Sequence, residues 1–411
     1  MGGLARSTLA VLVWNIARLA FQLFWVVVLA KALGAAGYGT FSGVAGLAMA
    51  LSGLVGAGLG LKMYHDVSRI PEELNPRWAQ ASLAMAWTGV VVAAMFVLIG
   101  TYSFPELPLM LLAVIAASEL VVAPRVAQTA FGFASLGKMQ ESATVPALLA
   151  FARVVAALGF AFSPWEGSVV TYGAWHLVAT LGAAFLANAW FRRVAQIEPR
   201  SVRVALSDYR AGLGYTSVWA SSLAMTSVDK AAALRHGGGD LAGNYSVAQR
   251  FAGLAALPID ALATAVLPRL FRAGPAMNGQ PRLLGLLATV TAAYGMAAGS
   301  VVWWTSPWVV ALLGEQFESA VPAMKILAIY VPLYCLRSVG GTILLGFNDK
   351  LRRFVLEIAG LVALVLLMAH WVPKYGVIGA ALALTSMEAM LALLFWVRIV
   401  YRPLTINGNE S

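Results

Sequence analysis

Polar and charged side chains recur at helical spacing inside long apolar stretches of this 411-residue chain. In the first stretch Asn15, Arg18 and Gln22 lie three and four residues apart, which places them along one face of an α-helix. The planar guanidinium of arginine is well shaped for bidentate contacts with phosphate groups. Such a stripe therefore predicts the binding of an anion.

Seven basic residues lie inside the apolar stretches, against five acidic residues. A charge in the middle of a bilayer costs about 2.5 to 3.5 kcal/mol on insertion scales and usually faces protein or water. We therefore expect several of these side chains to line a shared polar cavity, and the excess of positive charge favours a phosphorylated substrate. The candidate substrate-binding residues are Asn15, Arg18, Gln22, Arg125, Lys230, Arg250 and Arg337.

Three acidic residues in the same stretches, Glu119, Asp229 and Asp260, are candidates for carrying a coupling proton or cation. A transporter of organic cations would instead need unpaired carboxylates on its cavity wall. The four histidines are far apart and lack the spacing of metal ligands. No spacing typical of a catalytic triad or a phosphate-binding glycine loop is present. We expect neither an enzyme nor a bound metal or cofactor.

The composition indicates which kind of structural element holds these residues in place. The chain is 60% hydrophobic and 11% charged, whereas soluble domains carry roughly 25% charged residues. This is the composition of a membrane protein that crosses the bilayer many times, and the class is all-α. Twelve predicted transmembrane helices, each near the twenty or so residues that a bilayer requires, lie at 8–32, 40–63, 79–101, 107–129, 145–163, 168–190, 212–235, 245–267, 283–305, 321–346, 354–371 and 376–399.

The loops between the predicted spans differ in positive charge. One side of the membrane holds 18 of the 28 Lys and Arg residues, the other side holds 3, and the remaining 7 lie within spans. Positive residues stay on the cytoplasmic side, so both termini are predicted to be cytoplasmic. The same placement in short loops accounts for the net charge of +10 without nucleic acid as a partner.

Two segments about two hundred residues apart resemble each other, which is typical of transporters built from repeats. Both are apolar helices around a glycine-rich turn, and we expect Gly39 and Gly243 to occupy matching turns, where each serves either a special backbone conformation or a close approach between helices. The repeat predicts two pseudo-symmetric six-helix lobes, 1–197 and 212–402, joined by a cytoplasmic linker at 198–211 and followed by a disordered tail at 403–411. The matching pairs are Lys31 and Arg235, Gly39 and Gly243, Phe41 and Tyr245, and Ser42 and Ser246.

Several motifs resemble those of the Wzx-type polysaccharide flippases of the multidrug/oligosaccharidyl-lipid/polysaccharide (MOP) exporter superfamily. They are ALGAAGYGTFSGVAGLA after the first span, VDKAAALRHGGGDLAGNYSVAQRF around the seventh and eighth, GEQFESAVPAMKILA, and the final YGVIGAALA. The resemblance implies the MATE-like fold of that superfamily, with spans 1, 2, 7 and 8 along a central groove. It also implies that Arg18 and Arg250 match the cationic residues that hold a pyrophosphate.

The resulting hypothesis is a flippase of the cell inner membrane. It would translocate an undecaprenyl-pyrophosphate-linked oligosaccharide for surface polysaccharide biosynthesis by alternating access. Its expected partners are this substrate, membrane lipids, a polysaccharide polymerase and glycosyltransferases. Two alternatives stay open, a cation-coupled multidrug antiporter of the same fold and a membrane scaffold for glycosyltransferases.

Overall fold

Helices form the whole regular structure of the described residues, and this confirms the all-α prediction. The computed structural model describes residues 2–164, 167–198, 200–273, 281–347 and 349–401, without the side chains of 2–8, 218, 260–262, 264–273, 281 and 350. In those ranges the α-helices are α1 Gly2–Ser52, α2 Leu59–Val67, α3 Leu74–Ser103, α4 Leu109–Ala116, α5 Ala123–Ser135, α6 Met139–Ala161, α7 Val169–Ala195, α8 Leu206–Met225, α9 Val228–Ala273, α10 Pro281–Thr305, α11 Trp308–Leu313, α12 Ala320–Gly346 and α13 Lys350–Val400.

Eight helical stretches of the described chain are long and apolar enough to cross a membrane, so the protein is a multi-pass membrane protein. Two of them, Leu9–Ser52 with 44 residues and Leu351–Val400 with 50 residues, are about twice as long as one crossing requires. The number of twelve spans stays a prediction.

The longest helices each contain a glycine in a non-helical conformation. Gly34 in α1 has φ 71° and ψ 176°, Gly238 in α9 has φ 76° and ψ 179°, and Gly376 in α13 has φ 60° and ψ −136°. A side chain would be strained at these positive φ angles, and glycine is not. Gly34 and Gly238 are 204 positions apart (238 − 34) and agree within 5° in φ and 3° in ψ. This agreement supports the predicted internal repeat.

Gly39 and Gly243 lie within helices, so the prediction that they occupy turns was wrong. They lie instead where the backbones of α1 and α9 touch. A Cβ atom added at Gly39 would lie 1.8 Å from the carbonyl oxygen of Gly239, and one added at Gly243 would lie 2.0 Å from that of Ala35. Small residues allow helices to approach this closely, and here only a glycine fits.

The chain forms two compact units, Met1–Gly243 and Asn244–Ser411, whose boundary falls within α9. The predicted lobes at 1–197 and 212–402 stay a prediction. In the first unit α1 packs on α6, and an aromatic core joins α3, α5 and α7. The ring of Phe191 lies 4.4 Å from that of Trp78 and 5.0 Å from that of Phe133, measured between centroids.

In the second unit α12 packs between α10 and α13. A Cβ atom added at Gly295 of α10 would lie 2.5 Å from the Cα atom of Pro332 in α12. On the other side of α12, the indole Nε1 of Trp396 donates a hydrogen bond of 3.0 Å to the carbonyl oxygen of Leu336. These contacts fix the position of α12, which carries Arg337.

The charge asymmetry of the loops can be tested with single cysteines. Glu106, between α3 and α4, and Gln140, at the start of α6, are both exposed. In a Cys335→Ala background we expect a membrane-impermeant maleimide to label the Glu106→Cys variant in intact spheroplasts. The Gln140→Cys variant should react only after permeabilisation, because its loop is predicted to be cytoplasmic. Labelling of both variants in intact spheroplasts would refute this topology.

The contact between α1 and α9 predicts that Gly39→Leu lowers the amount of folded protein. Overpacking costs typically 1 to 3 kcal/mol, and here the added atoms meet backbone that cannot rotate away. We expect roughly a tenfold loss of monodisperse protein in size-exclusion chromatography. Gly182→Leu is the matched control, because Gly182 is exposed on α7 and a Cβ atom there meets no atom within 4 Å. Equal yields of the two variants would contradict the prediction.

Candidate functional site

The predicted polar stripe of α1 is turned away from the exposed face of this helix. Asn15, Arg18 and Gln22 are half-buried. The exposed side chains of the same segment are apolar, and they include Leu12, which is 54% exposed, and Ile16, which is 57% exposed. A surface of this kind faces lipid, so the polar stripe faces protein or a polar cavity.

Arg18 has a buried donor without a partner. Its Nε atom is shielded from solvent and makes no hydrogen bond to any described residue. No carboxylate of the described chain forms an ion pair with its guanidinium. A buried donor left unsatisfied costs about 1 to 3 kcal/mol, and more when the group is charged. An arginine in this state is suited to an anionic ligand.

The acidic candidate Glu119 lies on a π-helical turn, Ala117–Val122, between α4 and α5. Turns of this type are rare in proteins as a whole, but those that do occur are often at functional sites. The Oε1 atom of Glu119 lies 2.5 Å from Nη2 of Arg153 on α6 and 2.6 Å from Nε2 of His176 on α7. Three helical segments therefore contribute one ionisable group each to a cluster that we call the Glu119 cluster.

A chain of hydrogen bonds extends the Glu119 cluster toward α1. The indole Nε1 of Trp25 donates a hydrogen bond of 2.6 Å to the hydroxyl oxygen of Tyr172. That hydroxyl lies 3.4 Å from Nδ1 of His176. The pattern is complete with a neutral imidazole that accepts at Nδ1 from Tyr172 and donates from Nε2 to Glu119. Each donor in this series of hydrogen bonds then points toward the carboxylate of Glu119.

A cavity of about 210 Å³ borders the Glu119 cluster in the first unit. Glu119 and Arg153 are its charged lining residues, and the rest of its wall is mainly apolar. Met85, Phe131 and Trp219 are among the large apolar side chains of the wall. The carboxylate is therefore buried among helices and still next to a space that a small cation or a proton carrier can reach.

The sequence reasoning missed two members of this cluster. Arg153 lies at the middle of the predicted span 145–163 without an acidic residue beside it in that span, and α7, which carries His176, contains no Asp or Glu. His176 is 57 residues from Glu119, and Arg153 is 34 residues from it. The available signal was local, because Tyr172 and His176 are four residues apart on one face of an apolar helix.

Arg125 and Arg337 each precede a lysine by thirteen residues, Lys138 and Lys350, which is a second echo between the two halves of the sequence, but their environments differ. Arg125 on α5 is half-buried and forms no ion pair with a carboxylate of the described chain. Arg337 on α12 is buried and forms an ion pair with Glu388 on α13. Its guanidinium also lies 5.0 Å from the ring centroid of Tyr334, as expected from their helical spacing. The positive charge of Arg337 is therefore compensated within the second unit.

The remaining predicted residues lie on α9. Lys230 Nζ lies 3.4 Å from the carboxylate of Asp229 and donates to the carbonyl oxygen of Thr226 at 3.0 Å. Arg250 is half-buried. The side chain of Asp260 lies outside the described part of the structure.

The same described part contains no group of three or more His, Cys, Asp and Glu residues arranged to hold a metal ion.

Residues 4–273 match the sequence model of a family described as polysaccharide biosynthesis protein. No curated protein matches the chain.

Solved structures of similar fold include several membrane transporters. An inward-facing multidrug resistance MATE family transporter of the MOP superfamily has a TM-score of 0.69 and 17% identity, with 96% of each chain covered. Lipid II flippase MurJ in an inward closed conformation has a TM-score of 0.68 and 14% identity, with 94% of this chain and 87% of that one covered. A MOP superfamily transporter from Pyrococcus furiosus has a TM-score of 0.61 and 15% identity, with 96% and 94% covered. These similarities confirm the predicted fold.

The Glu119 cluster predicts a non-additive effect on stability. Removing one partner of a buried ion pair costs about 3 to 5 kcal/mol, because the other charge stays buried. We expect Glu119→Gln and Arg153→Met each to lower the thermal midpoint of the purified protein by several degrees. The double variant should recover more than half of the loss, because the amide can still accept from His176.

The control is Glu73→Gln, which removes the half-exposed ion pair between Glu73 and Arg77. Its effect should be small, since exposed pairs contribute about 0 to 1 kcal/mol. Additive losses in the double variant would contradict an ion pair between Glu119 and Arg153.

Proposed function

Because the chain belongs to the polysaccharide biosynthesis protein family, we propose that it is a flippase for an undecaprenyl-pyrophosphate-linked oligosaccharide. The fold that it shares with lipid II flippase MurJ and with MATE transporters supports transport by alternating access. The protein would act in the cytoplasmic membrane with both termini inside, and would deliver its substrate for the biosynthesis of a surface polysaccharide. A polysaccharide polymerase and glycosyltransferases are its proposed partners.

The buried, unsatisfied Nε atom of Arg18 is the observation from which we infer that the substrate is an anion. Its guanidinium lies in a membrane-spanning helix, and its buried Nε atom has no hydrogen-bond partner among the described residues. A phosphate oxygen would satisfy this donor, and the fork geometry of arginine allows a second contact to the same phosphate. Asn15 and Gln22, one turn to either side, would supply amide donors to the pyrophosphate or to the glycan.

The other intramembrane cations divide into two groups by their partners. Arg153 and Arg337 are neutralised by Glu119 and Glu388, and Lys230 lies beside Asp229. Because these charges are already compensated, we do not assign Arg153, Arg337 or Lys230 to direct contact with the pyrophosphate. Arg125 has no carboxylate partner in the described chain, and with Arg18 it is a proposed ligand of the pyrophosphate. Arg250 stays a candidate anion ligand predicted from the sequence.

A second candidate function is favoured by the Glu119 cluster. An acidic group next to a mainly apolar cavity is suited to exchange a proton or a small cation. A cation-coupled multidrug antiporter needs an unpaired carboxylate, so this function requires that the bonds from Glu119 to Arg153 and His176 open during transport. In the flippase the same carboxylate, together with Asp229 or Asp260, would couple transport to an ion gradient. The two functions differ in which charge is indispensable, because the antiporter depends on the carboxylate of Glu119 and the flippase depends on the guanidinium of Arg18.

The flippase proposal predicts that Arg18→Ala cripples the export of polysaccharide and that Arg18→Lys restores part of it. Loss of charge-assisted hydrogen bonds costs about 1.5 to 3 kcal/mol, or roughly ten- to a hundredfold in binding. Lysine keeps the charge and loses the bidentate geometry. The measurement is surface polysaccharide in a deletion strain that carries each variant, together with lipid-linked oligosaccharide retained in the cytoplasmic leaflet.

Arg193→Ala is the control, because Arg193 is an exposed arginine at the end of α7. Membrane abundance of all variants is measured in parallel. Full export by the Arg18→Ala variant would exclude Arg18 as a substrate ligand. If Arg18→Ala is mild while Glu119→Gln abolishes the efflux of cationic drugs, the antiporter is the better assignment.

A further inference from the structure

A groove lies between the first and the last turns of α13. This helix has 51 residues and turns at Gly376, so its two ends come together. The Nε atom of Arg398, near the C-terminal end, lies 2.9 Å from the carboxylate of Asp349, the residue before the N-terminal end. The groove between the two ends has a volume of about 540 Å³, and we call it the terminal groove.

The wall of the terminal groove is almost entirely apolar. It is formed by Leu351, Val355 and Leu356 from the first turns of α13 and by Leu394 and Val397 from its last turns. Leu351 is 74% exposed and Val355 is 55% exposed. In a helix that crosses a membrane, this exposed apolar surface is in contact with the acyl chains of lipids.

One end of the terminal groove carries positive charge. Arg352 and Arg398 both line the groove, and their nearest described carboxylate is Asp349, at 3.8 Å and 2.9 Å. Two arginines against one aspartate leave a net charge of +1. The side chain of Arg352 is 60% exposed, and its distance to Asp349 is too long for a hydrogen bond. Arg352 is therefore the cation with the greatest freedom to bind another anion.

Arg353 does not contribute to this charge. Its Nε atom lies 2.8 Å from Glu357, and its Nη1 atom donates to the carbonyl oxygen of Gly341 at 3.1 Å. It is thus neutralised and held against α12. Tyr401, at the end of α13, also lines the groove. Tyrosine is enriched at the depth of the lipid headgroups, and this places the basic end of the groove at the membrane surface.

We propose that the terminal groove binds one phospholipid with an anionic headgroup, with an acyl chain along the apolar wall and the phosphate at Arg352 and Arg398. The charge distribution of the loops predicts that this end of α13 is cytoplasmic. Basic pockets between transmembrane helices on the cytoplasmic side bind such headgroups. Bulk phospholipid reaches the groove directly, because the wall is open on its exposed side.

The test is native mass spectrometry of the purified full-length protein, titrated with phosphatidylglycerol or with phosphatidylcholine of the same acyl chains. We expect phosphatidylglycerol to bind more tightly. Arg352→Gln should weaken its binding about fivefold, the factor that corresponds to ~1 kcal/mol for a basic residue at an anionic surface. This variant leaves the ion pair between Asp349 and Arg398 in place, and the binding of phosphatidylcholine should not change.

Two further variants separate the groove from general surface charge. Val355→Trp fills the apolar wall and should weaken the binding of both lipids. Arg193→Gln, which removes an exposed arginine at the end of α7, should change neither. Equal binding of the two lipids by the unchanged protein would overturn the proposal, and so would an equal loss in Arg352→Gln and Arg193→Gln. Preferential binding of a polyprenyl phosphate over phosphatidylglycerol would assign the groove to the transported substrate instead.

Discussion

A charge in the interior of a membrane needs an opposite charge or a polar cavity beside it, and this constraint organises both units of the protein. In the first unit Glu119 is held by Arg153 and His176, which come from two other helices. In the second unit Arg337 is neutralised by Glu388. Each pair ties helices together across their apolar contacts. Arg18 differs from these pairs, because its Nε atom is buried without a hydrogen-bond partner and no carboxylate of the described chain forms an ion pair with it.

The predicted internal repeat is supported by the backbone dihedral angles of the two halves, whereas the pairing of their buried charges differs. Gly34 and Gly238 turn their helices with nearly identical dihedral angles. Arg125 and Arg337 also correspond, yet only Arg337 has a carboxylate partner in the described structure. A backbone turn depends on one residue, whereas a buried ion pair depends on a second residue elsewhere. The two halves can therefore share a fold although only Arg337 is paired with a carboxylate of the described chain.

Features that depend on one helix were predictable from the sequence, and features that depend on packing were not. Apolar length predicted the helices, and helical spacing predicted the polar stripe of α1, which is turned away from the exposed face. The Glu119 cluster joins three helices, and nothing in the sequence states which helices are neighbours. Gly39 was assigned to a turn because a glycine permits either a turn or a close contact. Only the position of the opposing backbone shows that it serves as a contact.

The π turn that carries Glu119 has a mechanical consequence. Such a turn holds one residue more than an α-helical turn, so α4 and α5 are out of register with each other by about 100° of rotation. Pro124 follows this turn and has no N–H group to donate to the carbonyl oxygen of Leu120, so the proline fixes the place of the extra residue along the helix. The bonds from Glu119 to Arg153 and His176 fix the rotation of the turn against α6 and α7. Without these bonds the segment that bears Arg125 would be free to turn about its axis, so the carboxylate also sets the orientation of α5.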